Sequence, residues 1–204
     1  MDTIEPSVMT GKMTGIASFN TNTVSNEFCR KMFNSGKSDV ICTECYSMKM
    51  LKGSRKNCVP KFQRNTDLMQ HHIHPDDLPV LNLAWCRGHG HGELINYKHF
   101  LNFSNLAKKN PQTTLTLFTK RRDIVNWVFK LKGYKKPKNL ILVYSNPIIN
   151  KVINEIPKHF DKVFNTVTEE NAQDNCTGKK CIDCLNCYKH SGAQVLIEKV
   201  KKRS

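Results

Sequence analysis

Along much of the chain the apolar residues fall into two alternating patterns. Asn96 to Asn110 carries Phe100, Phe103, Leu106 and Ala107 at helical spacing, and Asn110-Pro111 stops the run. Thr113 to Thr119 (TTLTLFT) follows, rich in β-branched residues and read as a strand. Asp123 to Leu131 repeats Ile124, Val125, Trp127, Val128 and Leu131, with Asp at its start and Gly133 past its end, so a helix is predicted. Asn139 to Tyr144 (NLILVY) is a short buried strand. Ile148 to Ile156 reads as a short helix closed by Pro157, and Lys162 to Val167 (KVFNTV) as the last strand. Upstream, Pro79 to Cys86 (PVLNLAWC) is an apolar run between a proline and a Gly-rich loop, again a buried strand. Pro60 to Gln70 suits a helix with Pro in its first turn, and Met13 to Asn20 a first strand.

Strands alternating with helices indicate an α/β fold built on a parallel sheet, open or closed only into a partial (βα) barrel. The strands are too few for an eight-stranded barrel. Residues 29–58 and 176–190 show neither period and hold eight of the nine cysteines. They are read as metal-stapled segments of a single α/β domain spanning 1–204. The end of the chain holds Val195, Leu196, Ile197 and Val200, then the basic Lys201, Lys202 and Arg203.

The 204 residues carry 32 Lys+Arg against 17 Asp+Glu, a formal net charge of +15. That surplus suits an anionic partner such as nucleic acid, although a solubility role explains it equally well. Apolar residues make up 39% and the mean hydropathy is −0.50, which argues against disorder. The longest apolar run falls far short of the ~20 residues of a membrane span. The start, MDTIEPSVMT, has no basic head and no apolar core, so no secretory signal is expected. A cytoplasmic, reducing setting follows, in which clustered cysteines are metal ligands more often than disulfides.

The sharpest local signal is Cys176-x4-Cys181-x2-Cys184-x2-Cys187. Three thiolates spaced three residues apart suit a [4Fe–4S] cluster, with Cys176 or an N-terminal cysteine as fourth ligand. Zinc is the competing metal, since four thiolates also close a tetrahedral site. A second group, Cys29, Cys42 and Cys45 with Cys58 beyond, either forms its own site or joins the C-terminal one. Cys86 ends an apolar run and reads as a core thiol.

After that run comes Arg87-Gly88-His89-Gly90-His91-Gly92-Glu93, at the carboxyl end of a predicted parallel strand, where α/β proteins place their sites. Glycine lets backbone approach a ligand closely. Arg87 suits a carboxylate or phosphate, and Glu93 an amino group or metal. Arg87, His89, Glu93 and Lys120 are the candidate catalytic groups. His91, Gly92, Ser145 and Asn146 are candidates for contacting a bound small molecule, although Ser145 and Asn146 equally suit a turn. His71, His72 and His74 read as a solvated loop.

Several motifs occur in order: Cys42/Cys45-Tyr46-Ser47, Arg64-Asn65, Arg87-x-His89-x-x-Gly92-Glu93, Leu117-Phe118-Thr119-Lys120, and Gly178-Lys179-Lys180-Cys181-x-x-Cys184-x-x-Cys187-Tyr188. Together they resemble the bacteriophage family called gene product eighty-eight. His91, Glu93 and Phe118 stand where that family usually has Ser, Asp and Tyr. The resemblance implies a phage origin and the cytoplasm of an infected host. The layout is also similar to radical-SAM enzymes, in which a Gly/Glu loop would hold the amino group of S-adenosylmethionine, but the C-x3-C-x2-C signature is absent. The expectation is an iron–sulfur phage protein, a redox or cluster-dependent enzyme acting on a small molecule. The alternative is a zinc-stapled, basic nucleic-acid-binding accessory protein without catalysis.

Overall fold

The computed structural model describes residues 3–168, 174–176 and 178–200. Seven strands form one sheet in chain order: β1 (Ser7–Val8), β2 (Ala17–Phe19), β3 (Trp85–Gly88), β4 (Thr114–Thr119), β5 (Leu140–Ser145), β6 (Lys162–Val167) and β7 (Val195–Lys199). Only β1 pairs antiparallel; every later pair is parallel. The sheet is open, with β1 and β7 as its edges. The helices are α1 (Glu27–Phe33), α2 (Tyr46–Lys52), α3 (Val59–Met69), α4 (Tyr97–Lys109), α5 (Arg122–Val128) and the single turn α6 (Cys181–Cys184).

The period-two alternation of the strands assigns their side chains to two layers. Cys86, Leu115, Leu117, Leu140, Leu142, Tyr144 and Val163 face one side and pack with Phe100, Phe103 and Leu106 of α4 and Ile124, Val125 and Val128 of α5. Phe118, Ile141, Val143, Phe164 and Leu196 of β7 face the other, where Cys187 and Ala193 cover them. The C-terminal cysteine segment is therefore packed on the sheet face opposite α4 and α5.

α4 forms where its apolar stripe predicts. The Asn96 side chain accepts from His99 N–H at 3.0 Å and caps its first turn. At its end Asn139 donates to the carbonyls of Ala107, Asn110 and Thr113, tying the α4–β4 turn to β5.

Three segments depart from the sequence reading, each because its backbone finds other partners. The run 79–84 is not strand; β3 begins only at Trp85. Asn110 accepts from Leu81 N–H and donates to Pro79 O, Gln112 donates to Leu81 O and Thr113 to Leu83 O. Side chains of the α4–β4 turn thus satisfy groups that a strand ladder would otherwise use. Residues 148–156 are not helical. Ile149 N–H donates to Asp39 O, Asn150 N–H to Thr166 O, and Asn165 both accepts from Ile153 N–H and donates to its carbonyl. Residues 162–167 do form a strand but not the last one, because Val195–Lys199 adds β7 beside it.

Candidate functional site

The Gly/His loop leaves β3 at the carboxyl edge of the sheet and runs against residues 18–23. His89 N–H donates to Phe19 O, Gly90 N–H to Ser18 Oγ, His91 N–H to Asn20 Oδ1 and Gly92 N–H to Thr23 Oγ1. Four successive amides are thereby consumed, so the close approach that the glycines permit is to the chain itself. Gly92 shows the constraint best. Its φ is +94°, and a Cβ there would meet Thr21 Oγ1 at 2.0 Å.

Of the four functional side chains of this loop, only His89 and Glu93 approach one another, with Nδ1 4.0 Å from Oε1; Arg87 and His91 point elsewhere. His89 is buried toward α4. Its Nδ1 bonds Phe118 O at 3.2 Å, its Nε2 lies 3.4 Å from Nε2 of His99, and its ring meets Phe103 edge to face. Burial holds its pKa below the ordinary imidazole value. His91 faces α2 and α3, with Nδ1 2.8 Å from Ser47 Oγ and its ring against Phe62 and Tyr46. Burial, then the Arg55 and Arg87 charges, push its pKa down to about 4. Glu93 is 4% exposed and turns to the end of β4. Its carboxylate accepts from Leu94 N–H (2.8 Å), Thr119 Oγ (2.5 Å) and Lys120 N–H (2.8 Å). Arg87 alone points to the face that carries the cysteine segment. Its guanidinium stacks 3.7 Å from the Phe118 ring, and Nε donates to His89 O.

Lys120 reaches along the carboxyl edge and donates to Ser145 Oγ at 3.1 Å. Burial acts to lower its pKa, but Cys42, Glu93, Cys29 and Cys45 outweigh this, and the net shift is upward. Asn146 belongs to the turn after β5: it donates to Lys151 O and Asn165 Oδ1 and accepts from Ile148 N–H. Lys120, Glu93 and Ser145 therefore share one neighbourhood, whereas Asn146 is occupied by its own loop.

The cysteines fall into two groups. Cys29 lies in α1, whose cap Asn26 also donates to Glu93 O. Cys42 and Cys45 lie just before α2. Burial raises the Cys29 and Cys42 thiols; each lies within electrostatic reach of Cys45, Glu93 and Lys120. Cys58 caps α3 and is not among the neighbours acting on those two. In the other group Cys176, Cys181, Cys184 and Cys187 all line one cavity with Lys12, Tyr188 and Leu196. Burial pushes the Cys187 thiol up to about 12, and the other three thiols act on it in the same direction. Lys12 donates to Cys176 Sγ at 2.7 Å and pairs with Glu198 at 2.5 Å. Among the described residues no group of three or more His, Cys, Asp or Glu side chains is disposed to hold a metal ion. Cys86 is fully buried between sheet and helices.

Sequence reasoning missed Lys12, since nothing local marks it as a partner of Cys176. It also missed Lys162, a fully buried lysine that donates to Gly192 O and Ala193 O and holds the cysteine segment on the sheet. Tyr46 and Tyr188 were not singled out either, although each directly follows the last cysteine of a group; both act on Arg87.

An open, mostly parallel α/β sheet with two separate groups of thiols beside half-buried lysines defines the class of protein. The chain belongs to the gene product 88 family, whose model matches residues 7–202. No curated protein and no solved structure matches it. No helix among the described residues is long and apolar enough to cross a membrane.

Proposed function

We propose that the chain is an iron–sulfur protein, in which Cys176, Cys181, Cys184 and Cys187 hold a [4Fe–4S] cluster, and that it works as a redox or cluster-dependent enzyme in the infected host cytoplasm. The observation carrying this reading is that all four thiols of the C-terminal cysteine segment line one cavity. The donor set is chemically apt, because thiolates are the usual ligands of such clusters. A cluster with four thiolates is anionic, and Lys12 already donates to one of the sulfurs. Burial would otherwise oppose ionisation of the Cys181 and Cys187 thiols, which a bound metal reverses. When bound, the cluster would supply one-electron transfer. Lys12 would hold hydrogen-bond contact to Cys176, and Tyr188 and Leu196 would limit water at the cavity wall.

The test is purification without oxygen, followed by iron, sulfide and zinc analysis. About four irons and four sulfides per chain, with broad visible absorbance lost in Cys184→Ala, is the expected result. Stoichiometric zinc in a colourless protein would replace this reading with a zinc-stapled one. Protein without any metal, and with its melting temperature unchanged in Cys184→Ala, would remove both.

A further inference from the structure

We infer that Arg87 and the hydroxyl of Tyr188 form a binding site for an oxyanion, a carboxylate or phosphate group of a small ligand, set between the two groups of cysteines. This adds a ligand class to the proposed function, and rests on it only in treating that ligand as a substrate.

Arg87 projects from β3 on the face opposite α4 and α5, with one side of its guanidinium against Phe118. Its Nε is used by His89 O, and among the described residues it makes no ion pair. The groups that act most strongly on it are Tyr188, Tyr46 and Cys187, all uncharged at neutral pH as free side chains. Stacking on an aromatic leaves the terminal nitrogens in the fork that binds carboxylate or phosphate at two points. With Cys187 protonated, this half-buried guanidinium has no counter-ion and favours an anion beside it.

Tyr188 supplies the second observation. It is 1% exposed, and its hydroxyl is buried without a hydrogen-bond partner of ordinary geometry. Arg87 is the strongest charge acting on that hydroxyl and lies within hydrogen-bonding reach of its oxygen, so the phenolic proton is the group left without an acceptor. A buried donor left open beside an unpaired guanidinium is satisfied by one acceptor-rich anion. Tyr46, whose own hydroxyl donates to Gly90 O at 2.6 Å, flanks the guanidinium on the side of Cys45. Tyr188 flanks it on the side of Cys187. A ligand held at Arg87 would thus lie between the residues that follow Cys45 and Cys187.

The test measures melting temperature of the full chain against inorganic phosphate and, separately, acetate, at ionic strength held constant with sodium chloride. Constant ionic strength removes the general effect of a +15 surface. The expected result is saturable stabilisation by at least one of the two anions, and which one acts separates a phosphate from a carboxylate ligand. Arg87→Gln should abolish it, and Tyr188→Phe, which keeps the ring, should weaken apparent affinity at least fivefold. Equal stabilisation of wild type and Tyr188→Phe would overturn the site, whether or not Arg87→Gln folds. Loss of anion binding once iron is loaded would also overturn it, by assigning Arg87 to the thiolates. Anion binding retained in Cys184→Ala, with no metal in either protein, would leave this site standing and remove the cluster.

Discussion

His99 donates a hydrogen bond from Nε2 to Nε2 of His89 across 3.4 Å of the core, and the bonds at the far side of each ring leave only this arrangement of protons. The Phe118 carbonyl can only accept, so His89 carries its proton on Nδ1. The Ile95 amide can only donate, so His99 Nδ1 is bare and its proton sits on Nε2. Both rings are neutral, and both nitrogens of each are engaged. His89 is thereby a joint between β3, β4 and α4 rather than a free base.

Acid should therefore unfold the protein early. His89, His91 and His99 all have folded pKa values below the ordinary 6.5, chiefly through burial. The unfolded chain takes up protons that the folded chain refuses, so stability is intact above about pH 6.5 and falls as pH drops below it. For His91, held near 4, the loss between those limits is on the order of 3 kcal/mol, and the other two act in the same direction. Denaturant titrations at pH 7.5 and pH 5 measure this; equal midpoints would show that the rings are protonated without opening the fold.

Glu93→Gln should destabilise the chain by roughly 2–4 kcal/mol. The carboxylate accepts from two backbone amides and from Thr119, and so ties the loop after β3 to the end of β4. A glutamine would turn an amide group toward some of those donors. Chemical denaturation of the variant checks the magnitude. A loss below ~1 kcal/mol would mean that the latch is dispensable and would return Glu93 to the solvent side of the site.

The sheet was legible because strands β4 to β6 and the helices between β3 and β5 obey their periods and end in Asn, Pro or Gly. The Asn110-Pro111 stop and the Asn96 cap lie where the sequence places them. What was not legible depends on partners distant in the chain. Asn110 removes 79–84 from the sheet through side-chain bonds about 30 residues away in sequence. Val195–Lys199 looks like a tail until β6 offers it an edge. In the candidate site, alternation along Arg87, His89, His91 and Glu93 did not give a common focus. Positive φ at His89 and Gly92 breaks the strand geometry on which alternation depends. The separation of Cys29, Cys42 and Cys45 from the C-terminal four could not be read from spacing, because it depends on distant partners: Glu93 and Lys120 for the first group, Lys12 and Leu196 for the second.

Gly92→Ala should cost roughly 2–5 kcal/mol, combining a left-handed backbone with an overlap against Thr21. The Thr21 side chain could rotate away, but its carbonyl oxygen would still lie 2.8 Å from the new methyl. The double variant with Thr21→Gly separates the two costs: it should regain only part of the loss. Full recovery would show that the backbone conformation itself is unstrained by a side chain.

Lys162→Met should loosen the C-terminal cysteine segment while leaving the sheet in place. Lys162 lies on β6 with no exposed surface, and its ammonium donates to the carbonyls of Gly192 and Ala193 at 3.0 and 2.9 Å. Burial pulls its pKa down, with Cys187 and Asp161 acting upward against it, so the fold holds this charge chiefly through those two carbonyls. Methionine has nearly the same shape and no donor, which leaves both acceptors unsatisfied at a cost of about 1–3 kcal/mol each. The stretch just before β7 would lose its anchor, and with it the packing of Cys187 against Phe118, Ile141 and Val143. Alkylation of metal-free protein under native conditions reads this directly. Cys187 should react several-fold faster in the variant, while Cys86, buried on the opposite face of the sheet, keeps its wild-type rate. Acceleration at both thiols would indicate global unfolding instead, and an unchanged Cys187 rate would mean that Lys162 does not hold the segment down.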